Sequence, residues 1–277
     1  MRFIFAKIKG LMAMATLVCI VCGMCSVFSR GDIAVGEVPK IELIASFYTY
    51  YGDSGANRKH NVGLASSLID GTILNPEEEF SFNDVVGSRT EERGFKTAYI
   101  IKDGEFIEGV GGGVCQVSST LYNAVLLADL TVSRVQAHSL PVSYVAPSFD
   151  AMVSSGSDFR FVNTLSAPIT IKMVADGKYV RCSIYGVKGR KVSRRSETIE
   201  VMPFETIYRD DENILLGEES VESNGVAGIK SRGYLEYESG GKVTSVLIRT
   251  DSYAPQKRVV LKGTKETATD YGGGEKQ

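Results

Sequence analysis

The stretch Val110-Gly111-Gly112-Gly113-Val114-Cys115-Gln116-Val117-Ser118-Ser119-Thr120 constrains this chain more than any other. Three consecutive glycines carry no Cβ, so the backbone there can turn sharply or be approached closely. The residues that follow have the clearest helical pattern in the sequence. At about 100° per residue, Val114, Val117, Leu121, Ala124, Val125 and Ala128 share one arc. Cys115, Ser118, Ser119 and Tyr122 fall on a neighbouring, more polar stripe, which puts Cys115 off the core face in the first turn. At that position, unpaired N–H groups and the positive end of the helix dipole favour a thiolate.

The N-terminus is different in kind. Arg2, Lys7 and Lys9 precede the uncharged apolar run Leu11–Phe28, and Arg30 follows it. Positive residues ahead of such a run keep that end in the cytoplasm and direct the remainder outward. Residues 1–30 are therefore read as a membrane anchor, with a cleaved signal as the alternative, and the body as extracytoplasmic. Cys19, Cys22 and Cys25 lie inside the run and count as apolar anchor residues. Cys115 and Cys182 are left for the exported body, where a disulfide between them is the first structural alternative. The net charge of −2 and the absence of tryptophan give no reason to expect nucleic acid.

Beyond a juxtamembrane segment, 31–45, the pattern is mixed. Ser46–Tyr51 reads as a strand, and Val62, Ala65, Leu68 and Ile69 recur at helical spacing until Asp70-Gly71 stops them. Phe80-Ser81-Phe82 alternates, and Tyr99–Ile101 with Phe106-Ile107 reads as a hairpin across Lys102–Glu105. From Leu130 the pattern is β, with His138 following a strand and Val142–Val145 forming another. Ile169, Ile171 and Met173 alternate, then Val180, Cys182 and Ile184 alternate back, so Cys182 is in phase with an apolar face. After the basic, unstructured-looking Lys188–Arg195, short β runs with spaced glycines continue to Thr264. Residues 266–277 read as a disordered tail. The fold class is α+β: a mixed helix and antiparallel-sheet domain over 46–187, then an elongated all-β module over 188–265.

Several separated motifs resemble the VanW family in the right order. They are Asn57-Arg58 with Asn61, Phe80-Ser81-Phe82-Asn83, Val86-Gly87, Gly94–Ala98, and Gly111–Asn123. Arg134, His138-Ser139, Tyr144-Val145, Asp150-Ala151, Asp158, Phe161 and Asn163 continue the series. Pro76-Glu77-Glu78-Glu79 and Ser148-Phe149 depart from the usual pattern in loops. Residues 190–265 are similar to a G5 domain through Gly225, Gly228, Tyr234, Tyr237, Gly240-Gly241, Pro255 and Gly263-Thr264. The resemblance implies a role in the cell envelope, in peptidoglycan metabolism, with a link to glycopeptide resistance; it supplies no established activity.

Two functions of different class stay open. In the first, Cys115 is the nucleophile of a hydrolase or acyltransferase acting on wall peptides. A thiol needs a base, and the base needs an orienting group. His138 is the candidate base, Asp150 or Asp158 could orient it, and helix N–H groups with the Gln116 side chain could form an oxyanion hole. His60 reads as a helix-surface residue. In the second, Gly111, Gly112, Gly113, Gln116, Ser118, Ser119 and Tyr122 form a groove that binds peptidoglycan or another wall glycopeptide without catalysis, extended by exposed Tyr234 and Tyr237. Two histidines with no close Cys or Asp cluster give no metal-ligand spacing, and the glycines lack the Lys-Ser/Thr of a phosphate loop, so no cofactor is expected.

Overall fold

The computed structural model describes residues 40–102 and 104–266. The expected anchor over 1–30 and most of the segment 31–45 lie outside the described residues, as does nearly all of the tail expected over 266–277. No helix among the described residues is long and apolar enough to cross a membrane.

In chain order the elements are β1 (Glu42–Tyr50), α1 (Ala56–Ile69), β2 (Ile73–Leu74), β3 (Glu79–Ser81), α2 (Phe82–Val86), β4 (Thr97–Lys102), β5 (Glu105–Val110), α3 (Val114–Leu127), β6 (Thr131–Arg134), β7 (Arg160–Val162), β8 (Ile169–Ala175) and β9 (Tyr179–Gly186). Then come six longer strands: β10 (Val192–Met202), β11 (Thr206–Leu215), β12 (Glu219–Val226), β13 (Gly228–Ser239), β14 (Lys242–Tyr253) and β15 (Gln256–Lys265). The described chain is mostly β, with its helices confined to the first module and the second module all-β.

The first module is built on the antiparallel sheet β1-β9-β8-β2. Alternation places Val180, Cys182 and Ile184 of β9 and Ile169, Ile171 and Met173 of β8 on one buried face. Helices α1 and α3 cover that face, and the expected arc of α3 is buried throughout. Cys182 is a free thiol inside this core, and burial pushes its pKa far up. A second sheet, β3-β7-β6, packs Phe80 and Phe161 with ring centroids 5.0 Å apart. The hairpin β4–β5 forms as its sequence predicts.

Several elements depart from the sequence reading. Strand β1 begins at Glu42, so 42–45 belong to the sheet. Phe82 opens a short helix, because Ser81 caps it by accepting a hydrogen bond from the Asp84 N–H. Leu68 is exposed, and buried Asn61 and Ser66 take inward places on α1 instead. Val142–Val145 form no strand: residues 135–159 have no regular secondary structure, and His138 is carried by this loop. Half of the basic Lys188–Arg195 stretch is the start of β10.

The glycine run serves close packing within the chain itself. Gly113, with φ 106°, caps α3 in the left-handed region. A Cβ on Gly112 would sit 2.5 Å from the Tyr99 carbonyl oxygen on β4. Asn61 ties this junction together, donating to the carbonyls of Lys96 (2.8 Å) and Gly112 (3.0 Å) and accepting from the Lys96 N–H (2.8 Å).

The second module has two three-stranded sheets, β10-β13-β14 and β11-β15-β12, the latter with β11 and β15 parallel. Ser231, Gly233 and Leu235 of β13 alternate onto the side facing the first module. Leu235 and Val192 join the first module's hydrophobic core, so the two modules share one core. Gly233 makes the approach close: a Cβ there would lie 3.0 Å from Ser148 Cβ.

The Gly112→Ala substitution should lower stability by about 1–3 kcal/mol, since the neighbour it meets is backbone. Gly63→Ala, inside α1 with nothing near its Cβ position, should raise it by about 0.5–1 kcal/mol. Urea midpoints of the two variants against wild type check the contrast.

Candidate active site

The sulfur of Cys115 sits in the first turn of α3, half-buried while its neighbours on the helix are fully enclosed. The loop 135–159 brings His138 and Asp150 to it. Met152 N–H bonds the Gln136 carbonyl at 2.8 Å, which closes the loop across its base. The polar stripe of α3 then clamps the closed loop. Ser119 Oγ accepts the Ala151 N–H at 2.9 Å, Ser118 Oγ donates to the Ala151 carbonyl, and Asn123 Nδ2 donates to the Phe149 carbonyl at 2.7 Å.

Asp150 is fully buried and both of its carboxylate oxygens are occupied. Oδ2 accepts from His138 Nδ1 at 2.6 Å and from the His138 N–H at 2.7 Å. Oδ1 accepts from the Tyr253 hydroxyl at 2.6 Å. With Nδ1 committed to Asp150, the other ring nitrogen of His138 is the one left for Cys115. Burial alone would raise the Cys115 thiol, but the adjoining His138 ring and then the Arg89 charge bring it below the usual thiol range. Burial opposes protonation of His138, yet Asp150 and Cys115 together lift it from 6.5 to about 9. Both shifts favour the thiolate–imidazolium pair over the neutral thiol and imidazole. Asp150 stays ionised: burial would raise it, and the bonds from His138 and Tyr253 hold it low.

Cys115 and His138 line a cleft of ≈ 1360 Å³, together with Gly111, Gly112 and Gly113. Tyr99 and Phe106 of the β4–β5 hairpin supply an apolar wall, and Arg58 and Arg89 supply positive charge. Gln116 reaches the cleft, but its side chain is committed inward. Nε2 donates to Thr49 Oγ1 at 3.0 Å and to the Tyr50 carbonyl at 2.8 Å, while Oε1 accepts from Arg58 at 2.7 Å. It is therefore not placed to donate to an oxyanion.

Ser118, Ser119 and Tyr122 are buried and do not line the cleft, because the stripe they occupy holds the loop rather than a ligand. Asp158 is placed elsewhere, bonding Ser81 Oγ at 2.7 Å, the Asn83 N–H at 2.9 Å and Arg160 at 2.7 Å. His60 lies on the exposed side of α1, against the Gly94 carbonyl at 2.8 Å. Among the described residues, no group of three or more His, Cys, Asp or Glu is placed to hold a metal ion.

Residues 57–185 match the family model described as VanW like protein, and residues 193–265 match that of the G5 domain. The chain carries a VanW domain followed by a G5 domain. An uncharacterized protein, YoaR of Bacillus subtilis (strain 168), is 46% identical over 145 residues, covering 52% of this chain and 48% of that protein. The vancomycin B-type resistance protein VanW of Enterococcus faecalis (strain ATCC 700802 / V583) is 25% identical over 138 residues, covering 48% and 50%. The chain thus spans about half the length of the curated relatives it matches. Two solved G5 structures are also similar. The IgA1 protease G5 domain is 24% identical with a TM-score of 0.19, covering 28% of this chain and 95% of that one. The HP0197-G5 crystal structure is 25% identical with a TM-score of 0.16, covering 26% and 99%.

Sequence reasoning missed four groups at the site. Arg58, Arg89 and Tyr144 line the cleft inside the VanW domain, and Tyr253 comes from the G5 domain. Arg89 had only a turn-rich context, and Tyr253 had no local signal. Tyr234 and Tyr237 of the G5 domain are half-buried, with the Arg195 and Arg190 guanidinium groups 4.1 and 4.4 Å from their ring centroids, so one face of each ring is already occupied.

Iodoacetamide should label Cys115 with a half-maximal rate below the pH of about 8.5 expected for an ordinary thiol, the reactivity fading as pH falls through the folded thiol pKa. His138→Gln should move that midpoint up by about one unit or more. Buried Cys182 should stay unlabelled, and mass spectrometry of the two peptides reads both. His138 binds its proton more tightly folded than unfolded. Its contribution to stability is therefore complete below about 6.5 and fades as pH rises through about 9.

Proposed function

We propose that this chain is an extracytoplasmic, membrane-anchored cell-envelope protein whose VanW domain carries out cysteine-dependent acyl transfer on wall peptides. The observation that carries this reading is the Cys115–His138–Asp150 arrangement at the wall of a cleft, with Asp150 locked onto His138 Nδ1 at 2.6 Å. The charge pattern of residues 1–30 supports the anchor and the orientation of the body.

The chemistry follows from the thiolate–imidazolium pair. The Cys115 thiolate attacks a peptide carbonyl and forms a C–S bond, while the carbonyl π electrons move to oxygen. The Cys115 N–H, in the first turn of α3, is a backbone donor available to that oxyanion, and the helix dipole adds to it. When the C–N bond breaks, the imidazolium gives its proton to the departing amine. Neutral His138 then takes a proton from water, for hydrolysis, or from an acceptor amine, for transpeptidation, as that oxygen or nitrogen attacks the thioester carbon. The new C–O or C–N bond forms, the C–S bond breaks and the thiolate leaves. Asp150 holds the imidazole in one tautomer throughout.

The cleft also suits a particular kind of substrate. Its volume exceeds the ~300–1,000 Å³ of ordinary small-molecule pockets, which favours an extended peptide or glycopeptide. Among the described residues neither Arg58 nor Arg89 is paired with a carboxylate, so a substrate carboxylate fits between the apolar wall and these cations. The Enterococcus faecalis relative is named for vancomycin resistance, and a wall-peptide substrate is the part of that role extended to this chain.

Comparing muropeptide profiles and wall binding of wild type, Cys115→Ala and Cys115→Ser tests the reading. Both variants should fold, bind the wall, and lose processing by a factor of about 10³ or more. Normal binding with unchanged profiles would leave a non-catalytic wall-binding or assembly role.

A further inference from the structure

The VanW catalytic cluster is closed by residues of the G5 domain. Tyr253, at the end of β14, is 1% exposed and makes two oriented hydrogen bonds across the module boundary. Its hydroxyl donates to Asp150 Oδ1 at 2.6 Å and accepts the Ser148 N–H at 2.7 Å. Its single proton is thus directed at the carboxylate. Arg249, on the same strand, donates to the Asp150 backbone carbonyl at 2.8 Å and is itself fixed by Asp251 at 2.7 and 2.9 Å. Ser231 Oγ and Ser148 Oγ are 2.8 Å apart, and the Ala254 N–H donates to the Ser139 carbonyl at 2.7 Å. Bonds from the G5 domain thus fall on residue 139, one after His138, and on residues 148 and 150. The loop that carries the base and its orienting carboxylate is gripped from two sides, by the α3 stripe and by β13–β14. Val226 and Gln256 of the G5 domain also reach the cleft that holds Cys115.

We propose that the G5 domain is a structural half of the active site, with Tyr253 as the positioning residue that aims Asp150 at His138 and Arg249 fixing the backbone beneath it. This rests on the cysteine-catalysis reading and extends it: the G5 domain is not a separable wall-binding appendage. With one oxygen held by Tyr253, the carboxylate turns its other oxygen to His138, where it accepts from Nδ1 and the backbone N–H. Without the hydroxyl, Oδ1 is left buried with no neutral donor, and the group turns toward Arg249, whose Nη2 already lies 3.9 Å away. His138 then loses its alignment and the thiolate its counter-charge.

The test is the pH dependence of iodoacetamide labelling of Cys115 in the full chain, read by mass spectrometry of the Cys115 peptide. Wild type is compared with Tyr253→Phe, Asp150→Asn and the double variant, each checked for a cooperative thermal transition. Tyr253→Phe should raise the labelling midpoint by about half a unit to one unit. In the Asp150→Asn background the same substitution should add nothing, because its effect runs through that carboxylate. Should Tyr253→Phe fail to fold, Arg249→Lys, which keeps the charge but loses the forked bonding, is read in the same way. A folded variant with an unchanged or lowered midpoint, or with full additivity on Asp150→Asn, overturns the proposal while leaving the nucleophile in place. An ordinary thiol midpoint in wild type itself would instead remove the cysteine-catalysis reading, and this proposal with it.

Discussion

Everything at this site depends on one buried carboxylate. Asp150 is fully enclosed, and an unpaired charge there would cost several kcal/mol, so the fold must supply partners for both oxygens. It supplies them from two directions: His138 on one oxygen and Tyr253 on the other. The loop 135–159 has no ladder of its own, and its path is set by this carboxylate together with the α3 stripe. The same interaction fixes the histidine tautomer, raises its affinity for a proton and so lowers the pKa of the neighbouring thiol. Structure and chemistry therefore draw on the same bonds.

The glycine run and the polar stripe change meaning in this light. Gly111, Gly112 and Gly113 do line the cleft, but their lack of side chains is demanded by Arg89, Tyr99 and Arg58 packed against them. Ser118, Ser119 and Asn123 face inward because a loop without secondary structure exposes backbone N–H and C=O groups that must be satisfied. What looked like a ligand groove along the helix is a clamp for the loop that carries His138. The part of the helix that reaches the cleft is instead its first turn, where Cys115 is half-buried.

Much of this was legible in the sequence. The 3.6-residue period identified α3, period-2 alternation put Cys182 in a core, and the Cys115 offset from the arc singled it out. His138 stood out because two histidines leave few choices, whereas Asp150 and Asp158 are separated only by the structure. The rest needed three dimensions. Val142–Val145 has strand-like residues but no neighbouring strand to pair with. Phe82 looked like the end of a strand until the Ser81 cap turned the chain into a helix. Tyr253 lies 103 residues from Asp150, and nothing near it in the chain announces a buried carboxylate across the module boundary. Gln116, placed correctly beside Cys115, was misjudged because its partners Thr49 and Tyr50 come from β1, at the other end of the domain.

The central claim is that Asp150 holds His138 as an imidazolium beside a Cys115 thiolate. The chain has only two histidines, so ¹⁵N-histidine labelling gives two ring systems to follow by NMR across pH. One ring, assigned by its loss in His138→Gln, should be doubly protonated at neutral pH and release its proton near 9. A His138 ring that is neutral at pH 7 and titrates at or below the ordinary value of about 6.5 would contradict the account.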